Sequence, residues 1–466
     1  MSSSNRTRLV LGLAALLAVA GWAASASAAN VVLVNLDPPG AGLNDPTPAA
    51  PVGGNPGVTL GQQRTNVYLF AANIWGSVLD SPEPIYVGAS FQPLTCSPTS
   101  GTLGSAGTTF IFRDFPGAIE PATWYHSALA DALAGVDLNP GFIDINSRFN
   151  SRIGTDPGCL TGRNWYYGID HNAGTDFDFL NVVAHEIGHG VGFSNFVNEI
   201  NGALQSGFTD VYNNRTYDVT TGKTWQQMTQ AERAISAVND RNVVWIGNEV
   251  TAQAPGVLGP RPSMKILSPP TLKASIEAQP AAFGPALTTG GGTSGKVVLA
   301  DDATGATADA CEPLVNDVSD KIVLADRGTC NFTVKVANAQ AAGAKGVVIA
   351  NSVAVGLPGM GGADPTITIP SVGITQADGA AIKAALHPSV TVRLLLDSAF
   401  QAGAVDGFVR LFAPNPVQSG SSGSHWDVTT TPNLLMEPFI NPDLRAADTL
   451  DLSPALMQDI GWTLLP

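Results

Sequence analysis

The chain has 466 residues, of which 44% are hydrophobic and only 13% are charged. A single hydrophobic core rarely organises so long a chain, so two or three domains are expected. Lysine and arginine together number 23 against 38 acidic residues, which gives a formal net charge of −15. Because such a surface repels polyanions, the composition argues against nucleic acid and anionic membranes as partners.

The N-terminus carries the pattern of an export signal. Arg6 and Arg8 come before an apolar run over residues 9–20, and the small-residue sequence Ala-Ser-Ala follows at 26–28. This order is typical of a secretory signal peptide, so we predict a cleaved segment over residues 1–28. No second long apolar run follows, so no membrane span is predicted. The mature protein is expected to be secreted, with a periplasm as one compartment on its route.

The segment after the signal alternates between helical and strand periodicity. Apolar residues recur at helical spacing in two stretches, while period-two alternation or short apolar runs mark four others. We expect a mixed sheet with helices packed on it. The predicted helices cover 67–78 and 124–133, and the predicted strands cover 85–91, 109–112, 143–149 and 165–169.

The sequence His-Glu-Ile-Gly-His at 185–189 is the most informative motif of the chain. On a helix, residues four apart lie on one face, so His185 and His189 can reach the same metal ion. Glu186 is placed to hold the water on that metal rather than the metal itself. Thr175 and Asp178, three apart, are predicted as the capping pair that begins this helix. The alternative interpretation is a buried amphipathic helix in which these polar residues interrupt the apolar ones without binding a metal.

A catalytic zinc ion needs three protein ligands and an open position, so a third ligand must exist. Gly192 fits the extended pattern HExxHxxGxxH, but Asn195 stands where that pattern has its third histidine. An amide oxygen is a poor zinc ligand beside imidazole. The remaining candidates are the distant His425 and the carboxylates of Glu199 and Asp210. A carboxylate as the third ligand would make the protein a zincin of another type.

Three motifs, in this order, carry a resemblance to a known family. They are HExxHxxGF from residue 185, Gly-Ser-His-Trp at 423–426 and Leu-Leu-Met-Glu-Pro at 434–438, and the end of the chain adds a predicted helix over 455–460. Together they resemble leishmanolysin-type metalloproteases of the metzincin clan, in which an insertion separates the third histidine from the first two.

This resemblance implies a secreted zinc endopeptidase that hydrolyses peptide bonds of a polypeptide substrate with one catalytic zinc ion. It also implies that strand 144–149 is an exposed edge against which an extended peptide lies antiparallel, whereas strand periodicity by itself is equally compatible with an interior strand. The implied roles are zinc ligands for His185, His189 and His425, general base for Glu186, and Met-turn residue for Met436. A non-catalytic secreted binding protein on a protease scaffold is the competing hypothesis, and the intact Glu186 argues against it.

The middle of the chain differs in composition from both ends. Seven of the eight lysines lie between Lys265 and Lys383, and no tryptophan lies between Trp245 and Trp426. Strand and helix patterns alternate there, as in a small α/β domain. The predicted strands are 322–325, 346–350 and 390–396, and the predicted helices are 333–342 and 378–386.

Segments 320–332, 340–351 and 369–374 of this middle region resemble a protease-associated (PA) domain, which implies a non-catalytic unit that contacts substrate or partner proteins. A folded spacer without such contacts is the alternative. The predicted fold class is therefore α+β, with a metzincin-like catalytic domain interrupted by a small α/β PA-like domain. The predicted limits are 30–264 for the first catalytic part, 265–402 for the insertion and 403–466 for the second catalytic part.

Four cysteines in an exported chain predict two disulfides. Three pairings are open, and we favour Cys96–Cys159 and Cys311–Cys330 because each then stays inside one predicted domain. Zinc binding by these cysteines is disfavoured because no CxxC spacing occurs. Asp-rich loops are compatible with calcium, but no EF-hand spacing supports it.

Overall fold

A computed structural model describes residues 27–305, 308–354 and 356–466. The predicted signal peptide falls outside the described residues except for its last two positions. Within the described ranges, no helix combines the length and the apolar character that crossing a bilayer requires.

The elements before residue 260 mix short strands with five α-helices among the described residues. They are, in chain order, β1 (Val31–Asn35), α1 (Leu60–Gly76), β2 (Ile85–Gln92), β3 (Gly104–Thr108), β4 (Ile111–Phe112), β5 (Thr123–His126), α2 (Ser127–Ala134), β6 (Ile145–Asn150), β7 (Trp165–Tyr166), β8 (Phe177–Asp178), α3 (Phe179–Val191), β9 (Thr209–Asp210), β10 (Thr216–Asp218), β11 (Lys223–Thr224), α4 (Gln230–Ser236), β12 (Val243–Trp245) and α5 (Asn248–Val257).

The remaining elements belong to the middle region and the tail. They are β13 (Pro260–Ser268), β14 (Ser275–Glu277), β15 (Gln279–Pro280), β16 (Thr293–Leu299), β17 (Ile322–Asp326), α6 (Phe332–Ala341), β18 (Gly346–Ala350), β19 (Ser371–Ile374), α7 (Gln376–Ala384), β20 (Thr391–Gln401), β21 (Ala404–Val405), β22 (Phe408–Arg410) and α8 (Ser453–Ile460). The predicted α+β class is confirmed, whereas the metzincin-like character of the catalytic unit stays a prediction.

A four-stranded sheet in the order β1-β2-β6-β3 supports the motif helix. The strands β1, β2 and β6 run parallel, and β3 runs antiparallel to β6 and forms an edge. The expectation that strand 144–149 is the exposed edge is therefore wrong, because β6 has a partner on each side. Alternation of apolar residues is the same in interior and edge strands, so the sequence could not distinguish them. The edge strand itself reads Gly-Ser-Ala-Gly-Thr and carries no strong strand signal.

Several predicted boundaries differ from the observed ones. The first helix begins at Leu60, seven residues earlier than predicted, because Thr59 caps it and the polar Gln63 and Arg64 of its first turns are buried. Of the predicted helix 124–133, the first three residues belong to β5. Only part of the predicted strand 109–112 is extended, as β4, and the predicted strand 165–169 shortens to β7.

Helix α3, which carries the motif, is capped by Asp178 alone. Its carboxylate accepts hydrogen bonds from the backbone N–H groups of Leu180 and Asn181, which would otherwise lack partners at the helix start. The predicted capping pair with Thr175 is therefore wrong, since Asp178 occupies the cap position itself. The helix ends at Gly192, whose φ of +146° favours glycine and whose Cβ would lie 2.3 Å from Ile460 in α8.

The middle region forms an eight-stranded sheet in the order β14-β13-β20-β16-β17-β18-β19-β15. Strands β16 to β19 run parallel; α6 lies between β17 and β18 in the chain, and α7 lies between β19 and β20. Its first strand, β13, and its last, β20, pair antiparallel, with Pro260 opposite Gln401. The chain therefore enters and leaves this sheet side by side. The predicted limit at 265 falls within β13, and the domain limits stay predictions.

The two segments that flank the eight-stranded sheet share one hydrophobic core. Trp75 and Val183 from the first segment belong to the same buried cluster as Trp426, Met436 and Leu456 from the tail. The eight-stranded sheet has separate clusters of its own. The tail therefore completes the core that the first 260 residues begin.

Two disulfides join the cysteines in the favoured pairing. Cys96 is bonded to Cys159 and Cys311 to Cys330, with Cα–Cα distances of 5.1 and 5.8 Å. The first bond ties the segment before β3 to the loop after β6, and the second lies beside β17 in the eight-stranded sheet.

Candidate metal centre

Three imidazoles from two distant parts of the chain converge on one point. The Nε2 atom of His189 lies 3.0 Å from that of His185 and 3.1 Å from that of His425, and the third distance is 3.3 Å. Zinc–nitrogen bonds of about 2.0–2.1 Å at tetrahedral angles require nitrogens about 3.3 Å apart. The spacing of the three nitrogen atoms therefore fits a single zinc ion.

Each ring is oriented by a backbone carbonyl on its other nitrogen. The Nδ1 atoms lie 2.6 Å from the Leu435 oxygen for His185, 2.8 Å from the Phe193 oxygen for His189, and 2.9 Å from the Ser421 oxygen for His425. A carbonyl only accepts, so each Nδ1 carries the hydrogen and each Nε2 presents a lone pair. Three lone pairs that face one another need a cation between them, so the donor set itself fits a metal.

The electrostatic surroundings keep these rings neutral. Burial lowers the pKa of His185 to about 4 and that of His425 to about 3. For His189, burial and then the neighbouring histidines lower the pKa well below its usual value. Neutral imidazole is the form that binds a metal, so the site is prepared for one near neutral pH.

Glu186 lies beside this cluster and under the edge strand. Its side chain is buried, and its Oε2 atom has no hydrogen-bond partner. A Cβ on Gly104 of β3 would lie only 2.4 Å from its Oε1 atom, so the carboxylate occupies space that a side chain there would take. Burial raises the pKa of Glu186 to about 8, against the opposing effects of the Ala106 backbone and the charge of Arg148.

Met436 is buried directly against the motif helix. A Cβ on Gly188 would lie 2.7 Å from the Met436 sulfur, so this glycine leaves room for the methionine between the two histidines of α3. The preceding residue, Leu435, supplies the carbonyl that orients His185. The segment around Met436 therefore packs against the helix that carries His185 and His189 and orients the first of these two rings.

The other proposed third ligands lie elsewhere. Asn195 donates hydrogen bonds from Nδ2 to Ser424 Oγ at 3.0 Å and to Glu199 at 3.1 Å. Asp210 accepts from the backbone N–H groups of Phe196 and Asn213. The structure brings His425 to the two motif histidines and does not bring Glu199 or Asp210 there.

A cleft of about 1100 Å³ opens onto the three histidines and Glu186. Residues 103–106, which include most of β3, line one wall, and residues 418–422 and 437–440 line another. Apolar side chains form part of the lining, namely Leu160, Phe177, Val182, Phe439 and Ile440.

Sequence reasoning missed several residues of this site. The orienting groups are backbone carbonyls, which leave no trace in the identity of a side chain. Gly104 and Gly188 matter because of what packs against them, and only a glycine in an otherwise regular strand or helix hinted at a close approach. Ser194 also lines the cleft, with its Oγ 2.8 Å from Nε2 of the buried His126, and the sequence did not connect these two residues.

A second group of candidate ligands lies in the middle region. Oxygen atoms of Asp302, Asp309 and Glu312 come within 4.8 Å of one another. Asp302 and Asp309 are buried and Glu312 is exposed, but acidic groups often come together without an ion, so calcium gains no support from this group.

Comparisons with known proteins identify a family for the middle region. Residues 293–382 match the PA domain family, so the chain contains a PA domain. A stretch of 152 residues is 33% identical to Signal peptide peptidase-like 2 from Arabidopsis thaliana, covering 31% of this chain and 27% of that protein. The chain thus matches only about a quarter of this relative.

Solved structures similar to part of the chain include two bacterial aminopeptidases. A zinc aminopeptidase from Bacillus subtilis is 26% identical, with a TM-score of 0.23 over 30% of this chain and 31% of its own. An aminopeptidase from Aneurinibacillus sp. strain AM-1 is 22% identical, with a TM-score of 0.24 over 40% of this chain and 42% of its own. Scores this low carry no argument, and the resemblance to leishmanolysin and the metzincins stays a prediction.

Proposed function

We propose that this protein is a secreted zinc-dependent endopeptidase. The observation that carries the proposal is the convergence of the Nε2 atoms of His185, His189 and His425 beside the buried, unpartnered carboxylate oxygen of Glu186. Zinc, when bound there, would supply Lewis-acid activation of the scissile carbonyl and of water. The PA domain and the peptidase named among the relatives agree with this proposal.

Glu186 has the properties of the general base. Its free Oε2 can accept a proton from water as the water oxygen bonds to the carbonyl carbon of the peptide. The same carboxyl can then give that proton to the amide nitrogen as the carbon–nitrogen bond breaks. Burial raises the pKa of Glu186 to about 8, and the positive charge of a zinc ion beside it would lower that pKa, so the group could both take and return a proton near neutral pH.

The substrate is proposed to be an extended polypeptide. Strand β3 pairs with β6 on one side only, so its other edge offers backbone groups to an added strand. The cleft of about 1100 Å³ has residues 103–106 along one wall, so an extended chain could lie in it beside β3. The apolar part of the lining favours a substrate that carries hydrophobic side chains.

A secreted location agrees with the two disulfides, since such bonds persist in oxidising compartments. The non-catalytic binding protein predicts no hydrolysis at all and gains no support from the unpartnered Glu186 carboxylate.

The decisive experiment measures cleavage of an unstructured polypeptide by the zinc-loaded protein and by Glu186→Gln, with zinc content determined for both. We expect the variant to retain zinc and to lose turnover. Glu249→Gln, a carboxylate of α5 outside the cleft, serves as the matched control and should cleave normally. Hydrolysis by Glu186→Gln at the wild-type rate would refute the proposal.

A further inference from the structure

A buried ion-paired cluster joins the eight-stranded sheet to the strand that leads to the third histidine. Glu277, the last residue of β14, accepts hydrogen bonds at 2.8 Å from both Nη1 and Nη2 of Arg410 in β22. Arg241 forms a second ion pair with the same carboxylate. Arg410 is only 4% exposed, so its charge depends on partners within the protein rather than on water.

A short backbone ladder runs from Arg410 to His425. The Arg410 carbonyl accepts from the N–H of Asp427 at 3.0 Å, and the N–H of Phe412 donates to the His425 carbonyl at 2.9 Å. The Phe412 carbonyl in turn accepts from the N–H of Gly423 at 2.8 Å. Residues 410–412 therefore bracket His425, and a shift of β22 shifts the backbone that presents its imidazole.

The three ligands differ in how their positions are fixed. His185 and His189 lie one turn apart on α3, so the helix alone sets their spacing. His425 lies 236 residues beyond His189, and its approach depends on contacts that cross between sheets. Whether the three histidines form a complete metal site therefore depends on the position of His425.

We propose that Glu277 is a positioning residue for the metal centre, through which the sheet containing the PA domain holds His425 in reach of His185 and His189. This inference rests on the proposed function. Removing the Glu277 charge leaves Arg410 buried with its bidentate partner lost, so β22 relaxes and the ladder carries the displacement to His425. The inserted domain thereby acts as part of the metal site although it supplies no ligand.

The expected effect is a weakening of metal binding rather than its loss. Arg410 also interacts with the charges of Asp427 and Asp240, and its Nε donates to the Arg241 carbonyl at 3.0 Å, so part of its anchoring survives. Partners that orient ligands from outside the metal's immediate shell typically change metal affinity by 10- to 100-fold. We therefore expect Glu277→Gln to lower zinc affinity by about tenfold.

The experiment measures zinc transfer from the full-length protein to a chromogenic chelator, together with the visible spectrum of the cobalt-substituted protein. Glu277→Gln should release zinc faster and alter the cobalt spectrum. The control is Asp326→Asn, which removes an ion pair with Lys383 in the same sheet but lies on no path to His425. Thermal unfolding of each metal-free protein separates lost stability from lost positioning.

Glu277→Asp keeps the charge but shortens the side chain, so it should lower zinc affinity by less than Glu277→Gln does. This variant replaces Glu277→Gln in the test if Glu277→Gln does not fold. Zinc release and a cobalt spectrum in the Glu277 variants equal to those of Asp326→Asn would overturn the inference while leaving the proposed function intact. A wild-type protein that binds no zinc would overturn both.

Discussion

Gly104 offers a direct test of whether the edge strand and the general base share one space. In the native structure a Cβ at this position would lie 2.4 Å from Glu186 Oε1 and 2.9 Å from its carboxyl carbon. Ordinary contact between such atoms begins near 3.4 Å, so Gly104→Ala demands a displacement of about 1 Å. The carboxylate is the part able to move, because β3 is held to β6 by its ladder.

A misplacement of about 1 Å at a reacting group costs roughly 100-fold in rate. We therefore expect Gly104→Ala to reduce kcat/KM for a peptide substrate by about 100-fold, equivalent to about 2.7 kcal/mol. Zinc content should stay unchanged, since the three atoms nearest to the added carbon all belong to Glu186, which is not a proposed ligand.

The matched control is Gly107→Ala in the same strand. A Cβ there has nothing within 4 Å, so this variant repeats the change in backbone propensity without the collision. Equal kcat/KM values for the two alanine variants would refute the reasoning, because Glu186 would then not need the space that Gly104 leaves.

Three further predictions follow from the contacts described. His425→Ala should lose stoichiometric zinc, measured by metal analysis after dialysis, whereas Asn195→Ala should retain it; the reverse result would exclude His425 as a ligand. Burial raises the pKa of Glu277, but the hydrogen bond and charge of Arg410 outweigh it and lower the pKa to about 2. The stability that this carboxylate contributes is therefore complete above its ordinary pKa of 4.5 and lost as the pH falls from there towards 2. In Glu277→Gln the midpoint temperature of unfolding should therefore depend less on pH across that range. A pH dependence equal to that of the wild-type protein would contradict the ion pair. Replacing Cys311 and Cys330 by serine opens a link between residues 19 apart and should lower the free energy of unfolding by about 3 kcal/mol in chemical denaturation, with no change expected in zinc content.

Much of the fold followed from patterns that act over a few residues. The alternation of strands and helices predicted a small α/β domain in the middle region, and β17, α6 and β18 lie close to their predicted positions. Prediction failed where polar residues were buried, as in the first turns of α1, and where glycine replaced apolar side chains, as in β3. In both places packing against neighbours overrode the local signal.

Local sequence patterns likewise predicted one part of the candidate site, and long-range packing decided the other part. The helical spacing of His185 and His189 is a property of any helix, so five residues of sequence were enough to predict that two imidazoles share a face. His425 was one of several candidate third ligands, and the resemblance to a family favoured it and added Met436, but no periodicity or spacing brought either residue to the motif helix. The edge strand could not be identified, because an interior strand and an edge strand alternate alike.

The sequence by itself therefore determined the helix with its two histidines and the strand–helix order of the inserted unit, since each depends on neighbours in the chain. It also narrowed the cysteine pairing by keeping each bond inside one predicted domain. The tertiary structure alone decided which strand borders the cleft, which carbonyls orient the imidazoles, and how Arg410 and Glu277 tie His425 to a distant sheet. The physical reason is that dihedral preferences and side-chain periodicity act locally. Ion pairs, close glycine contacts and convergent lone pairs exist only once separated segments have packed together.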